Sequence, residues 1–319
     1  MSDEAAFHVS VGDVVAGKYL VEHELGRGGM AVVLAARHVE LDERFALKFL
    51  APELVAQPAI ATRFAREAKA ACRIRSEHVA RVHDVGSHDG VPFLVMEHLS
   101  GRDLGALLSE HGALPIDEAV EYVMQACEAL AAAHAQGIVH RDIKPENLFV
   151  TSSDGRMLLK VVDFGVAELV GSVDRDGPMV GTIDYLAPEV VLGERAPSVQ
   201  SDLFAVGVVA YQALSGATPF RGGNVGQLVL AHATTTPKSL HAFDARIPPE
   251  VDAWMERALA RRPEARFESA REMAAAFERA VAVVNVKATG VLPRFDSRAL
   301  RRPETSRYVI VAPRDGKEK

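Results

Sequence analysis

Cysteine is almost absent. Cys72 and Cys127 are the only two in 319 residues, and neither has a second cysteine nearby. That excludes a disulfide framework and a thiolate zinc site, and it fits a reducing compartment. Excess positive charge is also missing. The formal net charge is −7, whereas general nucleic-acid binding needs a basic field to neutralise phosphates. There is no long hydrophobic run. The most apolar stretch, LFAVGVVAYQAL from Leu203 to Leu214, is too short to span a bilayer and reads as a buried helix. The opening residues MSDEAAFHV lack the charged-then-apolar layout of a signal peptide. No internal repeat is visible, and no membrane segment is expected in the chain as given.

Apolar residues make up 48 % and charged residues 25 %, ordinary values for a globular protein with a sizeable core. From about Gly12 to Met96 the pattern is mostly strand. Tyr19-Leu20-Val21 leads into a glycine-rich turn, Val32-Val33-Leu34-Ala35 leads out, and RFALKFL (Arg44 to Leu50) follows. One helix is expected from Ile60 to Arg75, then strands at Val79 to Val85 and Val91 to Met96. From Gly101 onward helical spacing dominates. Candidates are Leu104 to Glu110, Ile116 to Ala135, Leu203 to Ser215, Val225 to Ala233, Val251 to Ala260 and Ala270 to Val284, with strand pieces at Leu148 to Val150 and Leu158 to Val162. A strand-rich half followed by a helix-rich half predicts an α+β protein of two lobes, with the ligand site in the crevice between them.

The turn LGRGGMAVV spans Leu25, Gly26, Arg27, Gly28, Gly29, Met30, Ala31, Val32 and Val33. Its glycines let backbone amides approach a polyphosphate where a β-carbon would intrude. A dinucleotide fold needs a helix directly after such a turn, and here a strand continues. Lys48 lies in an apolar strand, where an unpaired ammonium would be costly. Glu67 on the following helix is the expected partner, holding Lys48 against the α- and β-phosphates of a nucleotide.

The segment IVHRDIKPENLFV, Ile138 to Val150, makes the pattern specific. Together with these features it resembles the eukaryotic-type protein kinase superfamily, most closely its bacterial Ser/Thr branch. His140-Arg141-Asp142 with Asn147 resembles the catalytic loop, Asp163-Phe164-Gly165 the metal-binding triplet, and Ala187-Pro188-Glu189 the end of the activation segment. The glycine-rich turn is similar to the family's, with Ala31 in place of the third glycine.

The resemblance implies a bilobal kinase fold over residues 12–284, with the small lobe at about 12–96 and the large one at about 100–284. It leaves residues 1–11 as a flexible start and 285–319 as a basic tail of net charge +5, so the remainder carries about −12. It implies transfer of the ATP γ-phosphate to Ser or Thr hydroxyls of protein substrates, in the cytoplasm. Asp142 would orient the acceptor hydroxyl, Lys144 would reach the γ-phosphate, and Asn147 and Asp163 would hold Mg²⁺, with Mn²⁺ as an alternative. Leu25, Val33, Ala46 and Phe149 would sandwich the base, and Met96 would gate a back pocket. The backbones of Glu97 and Leu99 would bond the adenine edge, and Asp103 would contact the ribose. Asp202 would open the buried helix and hold the catalytic loop, and Arg266 would pair with Glu189. The competing reading is a pseudokinase, a nucleotide-binding scaffold on the same fold.

One departure concerns regulation. The acceptor region shortly before Gly181 holds Asp174, Asp176 and Met179 but no Ser or Thr. Asp174 or Asp176 is therefore expected to pair with Arg141 in place of a phosphate. On this reading phosphatase treatment leaves activity intact, and a critical phosphate mapped to Ser172 would overturn it. Thr182 is expected to bond the catalytic Asp142 and Lys144 instead. Oligomeric state is left open.

Overall fold

The computed structural model describes residues 9–28, 31–55, 57–153, 155–164, 183–222 and 225–285. Gly29, Met30 and the segment 165–182 lie outside the described residues, as does the tail after Asn285.

The first part is an antiparallel sheet of β1 (Val14–Val15), β2 (Tyr19–Arg27), β3 (Ala31–His38), β4 (Arg44–Leu50), β5 (Val82–His88) and β6 (Val91–Glu97), in the order β1-β2-β3-β4-β6-β5. Two-residue alternation explains its two apolar faces. Phe45, Leu47 and Phe49 of β4 join Val32 and Leu34 of β3 on one face, while Ala46 and Leu50 join Val33 and Ala35 on the other. Lys48 belongs to this second face. After α1 (Pro52–Val55), α2 (Pro58–Ala71) covers that face with Phe64 and Ala68. Pro58 at the first helical position suits a helix start, where no intrahelical N–H bond is lost.

The second part is built around α4 (Ile116–His134) and α6 (Val199–Ser215), which pack on each other with α10 (Ala270–Asn285) and α9 (Pro249–Ala258). α3 (Leu104–His111), α5 (Pro188–Val191), α7 (Val225–Thr234) and α8 (Leu240–Phe243) complete it. A small sheet of β7 (Gly101–Asp103), β8 (Leu148–Ser153) and β9 (Arg156–Val161) lies at its top. Gly101 is obligatory there, because a β-carbon would stand 2.0 Å from the carbonyl oxygen of Val150. Between the two parts, Ala80, Leu99, Phe149 and Val162 form a small apolar joint.

The expected two-lobed α+β architecture is therefore present. The α2 helix ends at Ala71, short of the expected Arg75. Val79 pairs with Val161 in an isolated parallel bridge, so the strand expected from Val79 begins only at Val82. The α6 helix starts one turn before Asp202, because Ser198 and Ser201 form a reciprocal capping box. Its end is set by Gly216, which takes a left-handed conformation at φ 76°. Asp202 thus sits inside the first turn rather than opening the helix.

Candidate active site between the lobes

The glycine-rich turn is a β2–β3 hairpin, as the absence of a following helix implied. Gly28 N–H donates to Ala31 O at 2.9 Å to close it. Leu25, Val33, Ala46 and Met96 are buried together under the sheet, and Phe149 and Leu99 lie buried in the joint below. Register explains the clustering. Ala46 pairs with both Ala35 and Met96, and Lys48 pairs with Val33 and Leu94. The apolar residues expected around a base therefore fall into two buried clusters, one on a face of the first sheet and one at the joint. Lys48, Phe64, Ala68, Met96, Asp163 and Phe164 line a cavity behind Met96.

Lys48 is 2 % exposed, and its Nζ lies 2.7 Å from Asp163 Oδ1. The described ion pair of this lysine thus crosses from β4 to the segment after β9. Glu67 lies on α2, and its side chain is outside the described residues. Asp163 adopts φ 65° and Arg141 φ 73°, left-handed values uncommon for side chains with a β-carbon. Such strain persists where surrounding bonds over-determine it.

Those bonds are present around the loop of residues 140–147. Asp202, 2 % exposed, accepts from His140 N and Arg141 N at 2.8 Å each, and its Oδ2 lies 2.8 Å from His134 Nε2. The His140 ring bonds Val162 O at 2.9 Å and accepts from Asp142 N at 3.2 Å, which makes it the Nε2–H tautomer. Phe164 packs edge-on against that ring at 4.7 Å. Asn147 Nδ2 donates to Asp142 O at 2.7 Å and to Asp142 Oδ2 at 3.0 Å. Lys144 Nζ stands 2.8 Å from Asp142 Oδ2. Val162 N–H donates to Asn147 O at 3.0 Å, tying this loop to the segment after β9 that carries Asp163. Asp142, Lys144, Asn147, Asp163 and Lys48 are thus brought to one place by two backbone segments and one strand.

Asn147 turns its amide nitrogen toward Asp142, so its Oδ1 is not part of those two bonds. That oxygen and the Asp163 carboxylate are hard oxygens, the donor type that could hold a small divalent cation. Asp103 is buried and caps α3 by accepting from Ala106 N at 2.8 Å. Burial pushes its carboxyl above the usual range, and burial does the same to the neighbouring Glu146.

Arg266 uses all five of its N–H donors. It forms a bidentate pair with Glu189 at 2.7 and 2.8 Å and also donates to Ala260 O, Gln200 O and Arg261 O. Its guanidinium lies over the Phe204 ring at 4.7 Å. Asp174, Asp176, Met179 and Thr182, named for regulation, lie outside the described residues.

Sequence reasoning missed the side chains that brace β9. Gln125 Oε1 accepts from Leu159 N at 2.6 Å, His78 Nδ1 bonds Leu159 O at 3.1 Å, and Lys160 Nζ lies 3.0 Å from Glu97 Oε2. Each joins residues more than thirty positions apart, so no local pattern signals them.

Residues 19–277 match the protein kinase domain family. The chain belongs to that family. It is 36 % identical over 288 residues to the serine/threonine-protein kinase PknD of Mycobacterium tuberculosis, covering 89 % of this chain and 43 % of that protein. It is 38 % identical over 271 residues to the serine/threonine-protein kinase pkn3 of Myxococcus xanthus, covering 82 % of this chain and 49 % of that protein. Among solved structures, the PknI kinase domain of M. tuberculosis superposes with a TM-score of 0.68 at 29 % identity, covering 86 % of this chain and 99 % of that one. The kinase-family chain spans less than half the length of these curated relatives. Membership implies use of ATP and a divalent metal. No helix among the described residues is long and apolar enough to cross a membrane.

Proposed function

We propose that this chain is an active ATP- and Mg²⁺-dependent protein kinase that phosphorylates serine and threonine in proteins, itself included. The observation that carries the reading is that two groups, Asp142 with Lys144 and Asn147, and Lys48 with Asp163, are joined through the backbone bond from Val162 N–H to Asn147 O. Phosphoryl transfer needs aligned oxygens and neutralised charge more than covalent help, and this set supplies both.

The base enters between Leu25, Val33 and Ala46 above and Phe149 below. Glu97 N–H is committed to Arg81 O at 2.8 Å, so Glu97 meets the adenine edge through its carbonyl. Leu99 supplies the second backbone contact, and Asp103 is close enough in the chain to face the ribose. The glycine-rich turn and Lys48 hold the phosphates. Asn147 and Asp163 would hold Mg²⁺, which would supply charge neutralisation at the phosphate oxygens. The acceptor hydroxyl attacks the γ-phosphorus, the bond to the β-phosphate oxygen breaks, and ADP leaves. Asp142 orients the hydroxyl and takes its proton, while Lys144 steadies the transferring group. Since ATP is made inside the cell, this part of the protein works on the cytoplasmic side. Residues 12–284 form the catalytic unit.

Incubation with γ-labelled ATP and Mg²⁺, followed by phosphoamino-acid analysis, tests the reading. Label on serine and threonine is expected. Nucleotide binding without any transfer would replace it with the scaffold reading.

A further inference from the structure

Lys160 has no place in the reaction as described, yet it is buried. It is 9 % exposed, on β9, three residues before Asp163. A lysine so placed needs an anionic partner to offset desolvation. That partner is Glu97, the last residue of β6 and the first of the segment joining the lobes, with 3.0 Å between Nζ and Oε2.

The same Glu97 oxygen accepts from Arg81 N at 3.2 Å, and Glu97 N–H returns a bond to Arg81 O. The carboxylate is therefore fixed from two sides. On β9, Lys160 stands directly across from Phe149 in the strand register. Strand alternation puts Lys160 on the same face as Val162, which packs with Phe149, Leu99 and Ala80. One side chain thus ties the residue that would present its backbone to the adenine edge to the strand that lies beneath the base. Gln125 and His78 hold the neighbouring Leu159 N–H and C=O, so Lys160 projects from a braced strand rather than a free edge.

We infer that Lys160 is a positioning residue for nucleotide binding. Its ion pair with Glu97 fixes the spacing between the lobe-joining segment and the floor of the base pocket, and so sets affinity for the adenine nucleotide. It touches neither the phosphates nor the acceptor. The inference rests on the proposed nucleotide site.

The test compares wild type with Lys160→Met, Lys160→Arg, Glu97→Gln and the Lys160→Met/Glu97→Gln double variant. Dissociation constants for ADP are measured by calorimetry, alongside KM for ATP, kcat and thermal midpoint. Lys160→Met should raise the ADP dissociation constant and KM for ATP about five- to tenfold, the loss expected when a buried charge partner is removed from a preorganised site. The kcat value should stay within about twofold, since no group used only in the transition state is lost. Lys160→Arg should restore most of the affinity. The double variant should be no worse than the poorer single one, because the two residues act as a pair. Unchanged ADP affinity in folded Lys160→Met, or fully additive losses in the double variant, would overturn the inference. A lowered thermal midpoint with unchanged affinity would reduce the pair to a structural bond and would equally overturn it. If wild type itself binds no ADP, the nucleotide site fails, and the inference fails with it.

Discussion

Lys48 Nζ and Asp163 Oδ1 lie 2.7 Å apart, so one ion pair joins the sheet of the small lobe to the segment that follows β9. Alternation along β4 sends Lys48 to the crevice face, and the left-handed backbone at Asp163 turns its carboxylate up to meet it. Lys48→Met removes that cation from the proposed phosphate site. Loss of one preorganised group facing developing charge typically costs a factor of about 10²–10³. We expect kcat/KM for peptide phosphorylation to fall by that factor, measured beside circular dichroism of the variant. A loss under about threefold in a folded variant would remove Lys48 from the site.

Asp202 collects three donors, two of them adjacent backbone N–H groups of the loop carrying Asp142. Asp202→Asn keeps the shape but turns one acceptor into a donor aimed at another donor. A misplacement of about 1 Å at a reacting group can cost about 10²-fold. The expected result is a kcat lower by about that factor with KM for ATP little changed, read from steady-state kinetics. An unaltered kcat would mean that the loop is held by other bonds.

Arg266 and Glu189 are 2 % and 4 % exposed and bound in a bidentate pair. Lysine has three donors where arginine presents five in a fixed fork, so Arg266→Lys cannot replace all five bonds. Breaking a buried pair costs about 3–5 kcal/mol. Urea denaturation of Arg266→Lys should give a loss toward the lower end of that range. A loss under about 1 kcal/mol would show that the pair is not a stabilising contact.

His232 gives a pH prediction. Its ring lies edge-on to Phe220 at 4.5 Å and to Phe204 at 5.5 Å, and neither ring nitrogen has a hydrogen-bond partner among the described residues. Burial first, and then Arg266, bring its pKa down to about 4, with Glu189 opposing. The unfolded chain binds the proton more readily, so the stabilisation is full above about pH 6.5 and is lost as pH falls from there toward 4. The difference amounts to roughly 3 kcal/mol. His232→Phe should flatten the stability profile between pH 6.5 and 4 in denaturant titrations. An unchanged slope would place the acid sensitivity elsewhere.

Much of this site is legible in the chain because its chemistry depends on short-range order. Asp142, Lys144 and Asn147 fall within six residues, and a loop that short brings them together under any compact fold. Helices such as Ile116–His134 and Ala270–Asn285 follow the apolar spacing to within a residue. The Arg266–Glu189 pair, 77 positions apart, came only from resemblance. The braces on β9 carry no local signature, since Gln125, His78 and Glu97 reach it from three separate elements. The start of α6 is not legible, because its apolar run begins at Leu203, whereas the helix is set by a polar capping box at Ser198. Propensity marks where a helix is greasy, and the cap marks where it begins.

The most direct measurement is single-turnover transfer from γ-labelled ATP to a Ser- or Thr-containing acceptor, comparing wild type with Asp142→Asn at saturating nucleotide. The side chain of Asn147 and the ammonium of Lys144 both converge on Asp142 Oδ2, so the carboxylate is positioned and charge-compensated before any substrate arrives. The account predicts transfer by wild type and a fall of at least about 10²-fold in Asp142→Asn, with ATP binding retained. Equal rates in the two proteins, or no transfer by wild type despite bound ATP and Mg²⁺, would contradict it.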